Sequence, residues 1–398
     1  MELGTSTPIG RPGHGRAPGR RSGGRREVAG LGRLRRVALV AALVTLIPAA
    51  FSFMGAVNQT SNSSLGIRTV EWLRDNGAAG LVARVESIYY SLTAPAKGGP
   101  ALHALPRVGY GAAGGSGART GSQGVPAEYR PARVTPVLHP GLPGEGVWHA
   151  TRPGLEAAPP VLLTTYRDQP EYPRVLAGLA WIDTKRARVT LNPGRLEPSV
   201  TLPRGSMDVP AAQRGGLLAT FNSGFKLSDS RGGFVVNGRT YARMQDGLGT
   251  LVGYNDGRVD VLDWRDGSIA PSTVDYARQN LPLIVNEGRL NPNLANGEWG
   301  ATIGNAVLVW RSGIGVDSHG NLIYAAGEDQ SAESLARALV HAGAVRAIEL
   351  DINSYWVSFI TYGAAGGEQA KNLLPSMNRS TGRYLEPDDR DFFAVYSR

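Results

Sequence analysis

Cysteine is absent from all 398 residues. Its absence excludes a disulfide framework, thiolate zinc sites, iron–sulfur ligation and a cysteine nucleophile. Histidine is scarce: the six residues at 14, 103, 139, 149, 319 and 341 show no metal-ligand spacing, so neither a metal nor any other cofactor is expected. There is no GxSxG elbow and no P-loop, which removes two familiar catalytic frameworks. Charged residues are few, 19% against 42% hydrophobic, so most of the chain should fold around a core. A length of this order suits one large domain with additions, or two domains.

What is plentiful is unevenly spread. The net charge is +9, but residues 1–36 hold nine Arg against Glu2 and Glu27, and so carry +7 of it. The body is close to neutral and no nucleic-acid partner is expected. The tail, rich in Gly, Pro and Arg, reads as disordered and cytoplasmic. Val37 to Val57 follow without a charge, a run of about 31 Å as a helix, enough to cross a bilayer. Arg33, Arg35 and Arg36 precede it and a polar Asn58–Ser64 stretch follows. The positive-inside rule therefore predicts a single-pass membrane protein with its C-terminal part outside the cytoplasm. A cleaved signal peptide, with Ala49 and Ala50 near its end, is the alternative.

Residues 58–92 read as a juxtamembrane helical segment. A first helix around Val70, Trp72 and Leu73 should break at Asn76-Gly77. A second follows, with Leu81, Val85, Ile88 and Leu92 in one apolar stripe. Packing on the protein's own domain is the expected use of that stripe, with the membrane surface and a second protomer as alternatives. Between 93 and 150 there are 12 Gly and 8 Pro, and 93–130 reads as a linker. Gly109-Tyr-Gly111-Ala-Ala-Gly114 matches GxGxxG there, but no strand precedes it and no helix follows, so dinucleotide binding is rejected.

From 131 to 398 short apolar runs alternate with turns. Strands are expected at Val175–Ile182 and Ala187–Leu191 around Asp183-Thr-Lys185, and at Leu217–Phe221. Hairpins should turn at Asn237-Gly238 and Asn255-Asp-Gly257. A helix from Ser331 to His341, capped by Ser331 and stopped at Gly343, leads to a buried strand, Val345–Leu350, that delivers Asp351. The expected class is α+β: one mixed, strand-rich domain with few helices, preceded by a single transmembrane helix.

Asn222-Ser-Gly-Phe225, Arg311-Ser-Gly-Ile-Gly315 and Ala347-Ile-Glu-Leu-Asp351, in that order, resemble the phosphodiester glycosidase family, whose members include the N-acetylglucosamine-1-phosphodiester uncovering enzyme. The chain departs from the family where Ile352-Asn353-Ser354-Tyr355 stands in place of glycines. The resemblance implies a hydrolase of sugar-1-phosphodiesters, with cell-envelope glycans as the expected substrate. That chemistry asks for a cation at the phosphate, a carboxylate at the oxocarbenium-like carbon and polar groups for the sugar. Arg311 is the candidate fork for phosphate, assisted by Lys226. Asp351 is the first candidate carboxylate and Glu287 the second. Asn222, Gly224, Asn353 and Ser354 are candidate substrate contacts, while Trp356 and Phe359 are expected in the core. Each has a structural alternative: Asn222 as a turn residue, Arg311 paired with Asp317, Asp351 as a loop cap, Glu287 as a solvated turn. The rival function is a non-catalytic carbohydrate-binding module on the same fold.

Overall fold

A computed structural model describes residues 24–109, 129–155, 157–300 and 308–398. Two compact units result, one ending at Gln59 and the other over Thr60–Arg398. In the first, helix α1 runs over Gly24–Asn58 with Pro48 inside it, and its Leu34–Asn58 part is long and apolar enough to cross a membrane. The helix starts before the apolar run, so the part of the basic tail from Gly24 to Arg36 is helical rather than disordered. Arg, Ala and Leu are good helix formers, and a nucleated helix extends cheaply into such sequence.

The second unit begins with α2 (Leu65–Leu73) and α3 (Ala79–Thr93), separated where Gly77 takes φ 88°. The apolar stripe of α3 does not pack on the domain as expected: Leu81, Val85, Ile88 and Leu92 are exposed. Another face makes the contacts. Val82 is buried, Glu86 pairs with Arg74, and Tyr90 lies against Ser354. The start of the expected linker is also tied down. Gly98 N donates to Glu171 O at 2.9 Å, and Val108 packs against the core. The rest of it, 110–128, lies outside the described residues and takes most of the GxGxxG match with it.

Three sheets form the body, and every strand pair among the described residues is antiparallel. Six strands matter for the site: β1 (Leu217–Asn222), β2 (Val309–Asp317), β3 (Leu322–Gln330), β4 (Ala344–Glu349), β5 (Phe359–Tyr362) and β6 (Phe392–Ser397). The first sheet has eight strands with β3, β2 and β4 side by side, and the third has five with β5, β1 and β6 adjacent. A second five-stranded sheet contains the hairpin turned by Asn237 and Gly238, at φ 52° and 68°. Both left-handed residues are what a two-residue hairpin turn demands. The chain changes sheets at Asp183–Arg186: Ala177–Ile182 belongs to the first sheet and Ala187–Asn192 to the third. With few helices among many strands, the class is α+β.

Helix α4 (Ala332–His341) covers the first sheet with Leu335, Ala336 and Leu339. Ser331 Oγ accepts from Ser334 N, and Ser334 Oγ accepts from Ser331 N, both at 2.9 Å. That reciprocal pair satisfies donors that a helix start leaves open. Between the sheets Phe221 stacks on Phe359 and Phe393, with centroids 5.9 and 5.1 Å away, and Tyr324 lies 4.9 Å from Phe359. This aromatic core clamps β1 of one sheet to β3 of the other.

Candidate functional site

Two strand ends and one strand middle make the centre of the site. Asn222 closes β1, Ser312 lies within β2, and Asp351 follows β4. Ser312 N donates to Asp351 O at 3.0 Å, and Ser312 Oγ donates to the same carbonyl at 2.9 Å. Asn222 Nδ2 donates to Ser312 Oγ at 3.0 Å, while its Oδ1 accepts from Tyr324 OH at 2.9 Å and Ser358 N at 3.0 Å. Asn222 is therefore fully engaged inside the protein, and its side chain positions its neighbours. Beside it, Ser223 Oγ is buried with no partner among the described residues.

The Asp351 carboxylate is held at both oxygens. Oδ1 accepts from Asn353 N at 2.9 Å and Oδ2 from Arg390 Nη2 at 3.0 Å. Burial raises its pKa, opposed chiefly by the Arg390 charge. Arg390 also donates to Gly224 O at 2.9 Å and lies over the Trp356 ring at 5.1 Å. Two more cations surround that ring, Arg379 at 5.5 Å and Arg383 at 5.3 Å. Arg383 grips Asp388 through Nε at 2.8 Å and Nη2 at 3.1 Å. Burial pushes Asp388 up, but Arg383 and Arg379 outweigh it and hold its carboxyl below the ordinary value.

The segment after α1 lies against this cationic group. Asn62 Oδ1 accepts from Arg379 at 2.7 Å, and Ser61 and Ser63 donate to Asp389 at 2.6 and 2.9 Å. From α2, Glu71 pairs with Lys226. Burial favours the neutral acid there, yet Lys226, Arg390 and Arg74 together bring the Glu71 pKa below its usual value. Lys226 responds oppositely: burial lowers its pKa, but Glu71 and Asp75 more than reverse this. A carboxylate from the chain thus sits on a cation close to Asp351 and Arg390.

The remaining candidates are distributed unevenly. Gly224 belongs to the cluster; a Cβ there would stand 2.8 Å from the Asn280 side chain, too close for any other residue. Asn353 and Ser354 lie half-buried in the loop after Asp351, Asn353 Oδ1 accepting from Tyr355 N and Ser354 O from Asn378. Arg311 does not join them. Its guanidinium is buried, donating to Glu349, to Trp299 O at 2.7 Å and to Gln330 O at 3.1 Å. It has neither a free fork for phosphate nor the Asp317 partner considered from sequence. Asp317 instead accepts from His319 N and Asn321 N in the turn after β2. Glu287 is exposed at φ 50° in the Val285–Leu290 hairpin, outside the cluster. Trp356 and Phe359 are buried as expected.

Sequence reasoning missed Arg390, Arg383 and Arg379, although the charge-dense run 379–391 was a visible signal. Among the described residues, no three of His, Cys, Asp and Glu gather as a metal site. Two cavities, of about 370 and 350 Å³, lie elsewhere: one beside Tyr90, Trp310 and Asp329, the other beside Arg188, Arg204 and Asp275. Neither is lined by Asp351, which is buried with its carboxylate bonded to Arg390 and Asn353 N.

Comparison with known proteins bears on this cluster. Among solved structures, the zebrafish N-acetylglucosamine-1-phosphodiester alpha-N-acetylglucosaminidase catalytic domain, in a form auto-inhibited by pro-peptide, is 16% identical. The match covers 61% of this chain and 85% of that one at a TM-score of 0.41. A hypothetical protein from Synechocystis is 15% identical over 56% of this chain and 59% of that one, TM-score 0.33. An exported protein from Burkholderia pseudomallei is 12% identical over 56% and 74%, TM-score 0.31. No curated protein matches the chain. The phosphodiester glycosidase family matches residues 208–351, the part of the chain that supplies Asn222, Ser312 and Asp351, and it is this family that the chain resembles.

Proposed function

We propose that the protein is a membrane-anchored hydrolase that cleaves glycosyl-1-phosphodiesters of cell-envelope glycans outside the cytoplasm. The observation that carries the reading is a buried carboxylate, Asp351, paired with Arg390, and a second cation, Lys226, paired with Glu71, an anion that both cations attract. A glycosyl phosphodiester has the complementary charges: C1 becomes cationic as its bond to oxygen breaks, and the phosphate departs as an anion. In this reading Asp351 steadies C1 or orients the attacking water. Water oxygen bonds to C1, the C1–O electron pair leaves with the phosphate, and a water proton passes to Asp351 or solvent. Lys226 and Arg390 receive the phosphate, taking the role the sequence suggested for Arg311. Ser223, Asn353 and Ser354 supply polar contacts to the sugar, and Asn222 and Gly224 hold the floor beneath it. Phosphate binding requires Glu71 to yield Lys226.

The family match over 208–351 supports the glycosidase assignment. The apolar helix with its arginine flank supports the anchor and an N-terminus in the cytoplasm. One observation favours the non-catalytic alternative: Arg311 is bound internally to Glu349. Turnover of the full chain on a panel of glycosyl-1-phosphodiesters, beside its Asp351→Asn variant, separates the two. The enzyme predicts sugar release that falls at least ~10²-fold in the variant. Glycan binding without turnover would establish the module.

A further inference from the structure

Helix α3 is amphipathic in the wrong sense for water. Its domain-facing residues are Val82, Glu86 and Tyr90, of which Glu86 is charged and Tyr90 carries a hydroxyl. Its outward residues are Leu81, Val85, Ile88 and Leu92, between 54% and 80% exposed, with Tyr89 beside them at 62%. Leu65, which opens α2, is equally bare at 65%. A contiguous apolar surface of this kind on a folded domain marks an interaction face rather than a solvated one.

We propose that this face lies on the outer surface of the lipid bilayer, its side chains entering the headgroup–acyl boundary. The proposal rests on the anchor reading above. Only Gln59 and Thr60 separate the end of α1 from Ser61, which is already bonded to Asp389 of the domain. Two residues of chain reach about 7 Å, so a bilayer that holds α1 keeps the domain at its surface. Leu65 and the α3 stripe are the next exposed large apolar groups along the chain, the large apolar side chains between them being partly buried. Leu, Ile and Val on one face with a Tyr at its margin are the composition that interfacial helices use, and Arg84, also exposed, is available to lipid phosphates. A second copy of the chain would also cover apolar surface, but it would not account for the stripe following so closely on a bilayer-length helix.

The cysteine-free sequence allows a direct test. Full-length chains carrying Val85→Cys, Ile88→Cys or Leu92→Cys are labelled with an environment-sensitive fluorophore and reconstituted in phosphatidylcholine–phosphatidylglycerol vesicles containing nitroxide lipids. Val44→Cys in the span and Ile269→Cys, exposed on the domain, serve as references. The stripe probes should shift to the blue and be quenched by the lipid nitroxide, while the 269 probe stays in water. If the 44 probe is quenched and the stripe probes are not, the anchor stands and the membrane face is refuted. An unquenched 44 probe removes the anchor and this surface together. Stripe probes shielded from water yet untouched by nitroxide, with energy transfer between labelled chains, would assign the face to a second copy and overturn the proposal.

Discussion

Replacing Arg390 by Met isolates the electrostatics of the site. The Arg390–Asp351 contact is 3.0 Å long and both side chains are buried. At an effective dielectric of about 20, two unit charges at that distance attract by about 5 kcal/mol. Removing one partner of a buried pair generally costs about 3–5 kcal/mol, because the other charge is left uncompensated. Arg390→Met should therefore destabilise the domain by that order in denaturant unfolding at neutral pH. The pH dependence carries the diagnosis. Burial already raises the Asp351 pKa, with Arg390 opposing it, so losing Arg390 raises it further. A raised carboxyl pKa means that stability falls as pH climbs from the unfolded pKa through the folded one, since the unfolded state gives up its proton first. The variant's deficit should be largest above its new Asp351 pKa and shrink in acid, where the carboxyl is protonated in both states. Adding Asp351→Asn should restore most of the loss at neutral pH. A deficit that is equal at all pH values, or one that Asp351→Asn does not relieve, would refute this account of the pair.

Other outcomes follow from the same structure. Asp168 is buried against Gln330, and burial raises its pKa to about 7. Asp168→Asn should leave stability unchanged near pH 4 and then raise it with increasing pH, by about 1.4 kcal/mol for each pH unit climbed until the buried carboxyl ionises; a pH-independent difference in thermal melts would contradict this. Glu71→Gln takes the competing anion from Lys226, so KM for a glycosyl phosphodiester should fall about tenfold, or about 1.4 kcal/mol, with kcat unchanged in steady-state assays. Ser331→Ala removes the acceptor for Ser334 N and should cost about 1 kcal/mol in chemical unfolding without altering turnover.

Local features of the sequence were legible where one short-range rule governs them. Asn237-Gly238 could only turn a hairpin, Ser331 and Gly343 bracket their helix, and the apolar Val345–Leu350 run delivers Asp351 as read. Asp351 and Gly224 follow strands of two different sheets and are joined by Arg390, which donates to both; strand order hinted at this but did not fix it. What failed to show was long-range. Arg390 reaches Asp351 across 39 residues of chain, whereas Arg311, itself part of an expected motif, is claimed by Glu349 from the neighbouring strand. A guanidinium's partner depends on which strands pair, and no local pattern encodes that. The α3 stripe misled for a related reason. Its period reveals an apolar face but not what lies against it, and Val82, Glu86 and Tyr90 turned a different face to the domain.

The claim that matters most is which bond breaks. Hydrolysis of a glycosyl-1-phosphodiester by the full chain in ¹⁸O-labelled water, with both products analysed by mass spectrometry, answers it directly. Attack at C1 beside Asp351 predicts the label in the anomeric hydroxyl of the released sugar and none in the phosphate. Label in the phosphate would mean cleavage at phosphorus and contradict the glycosidase account.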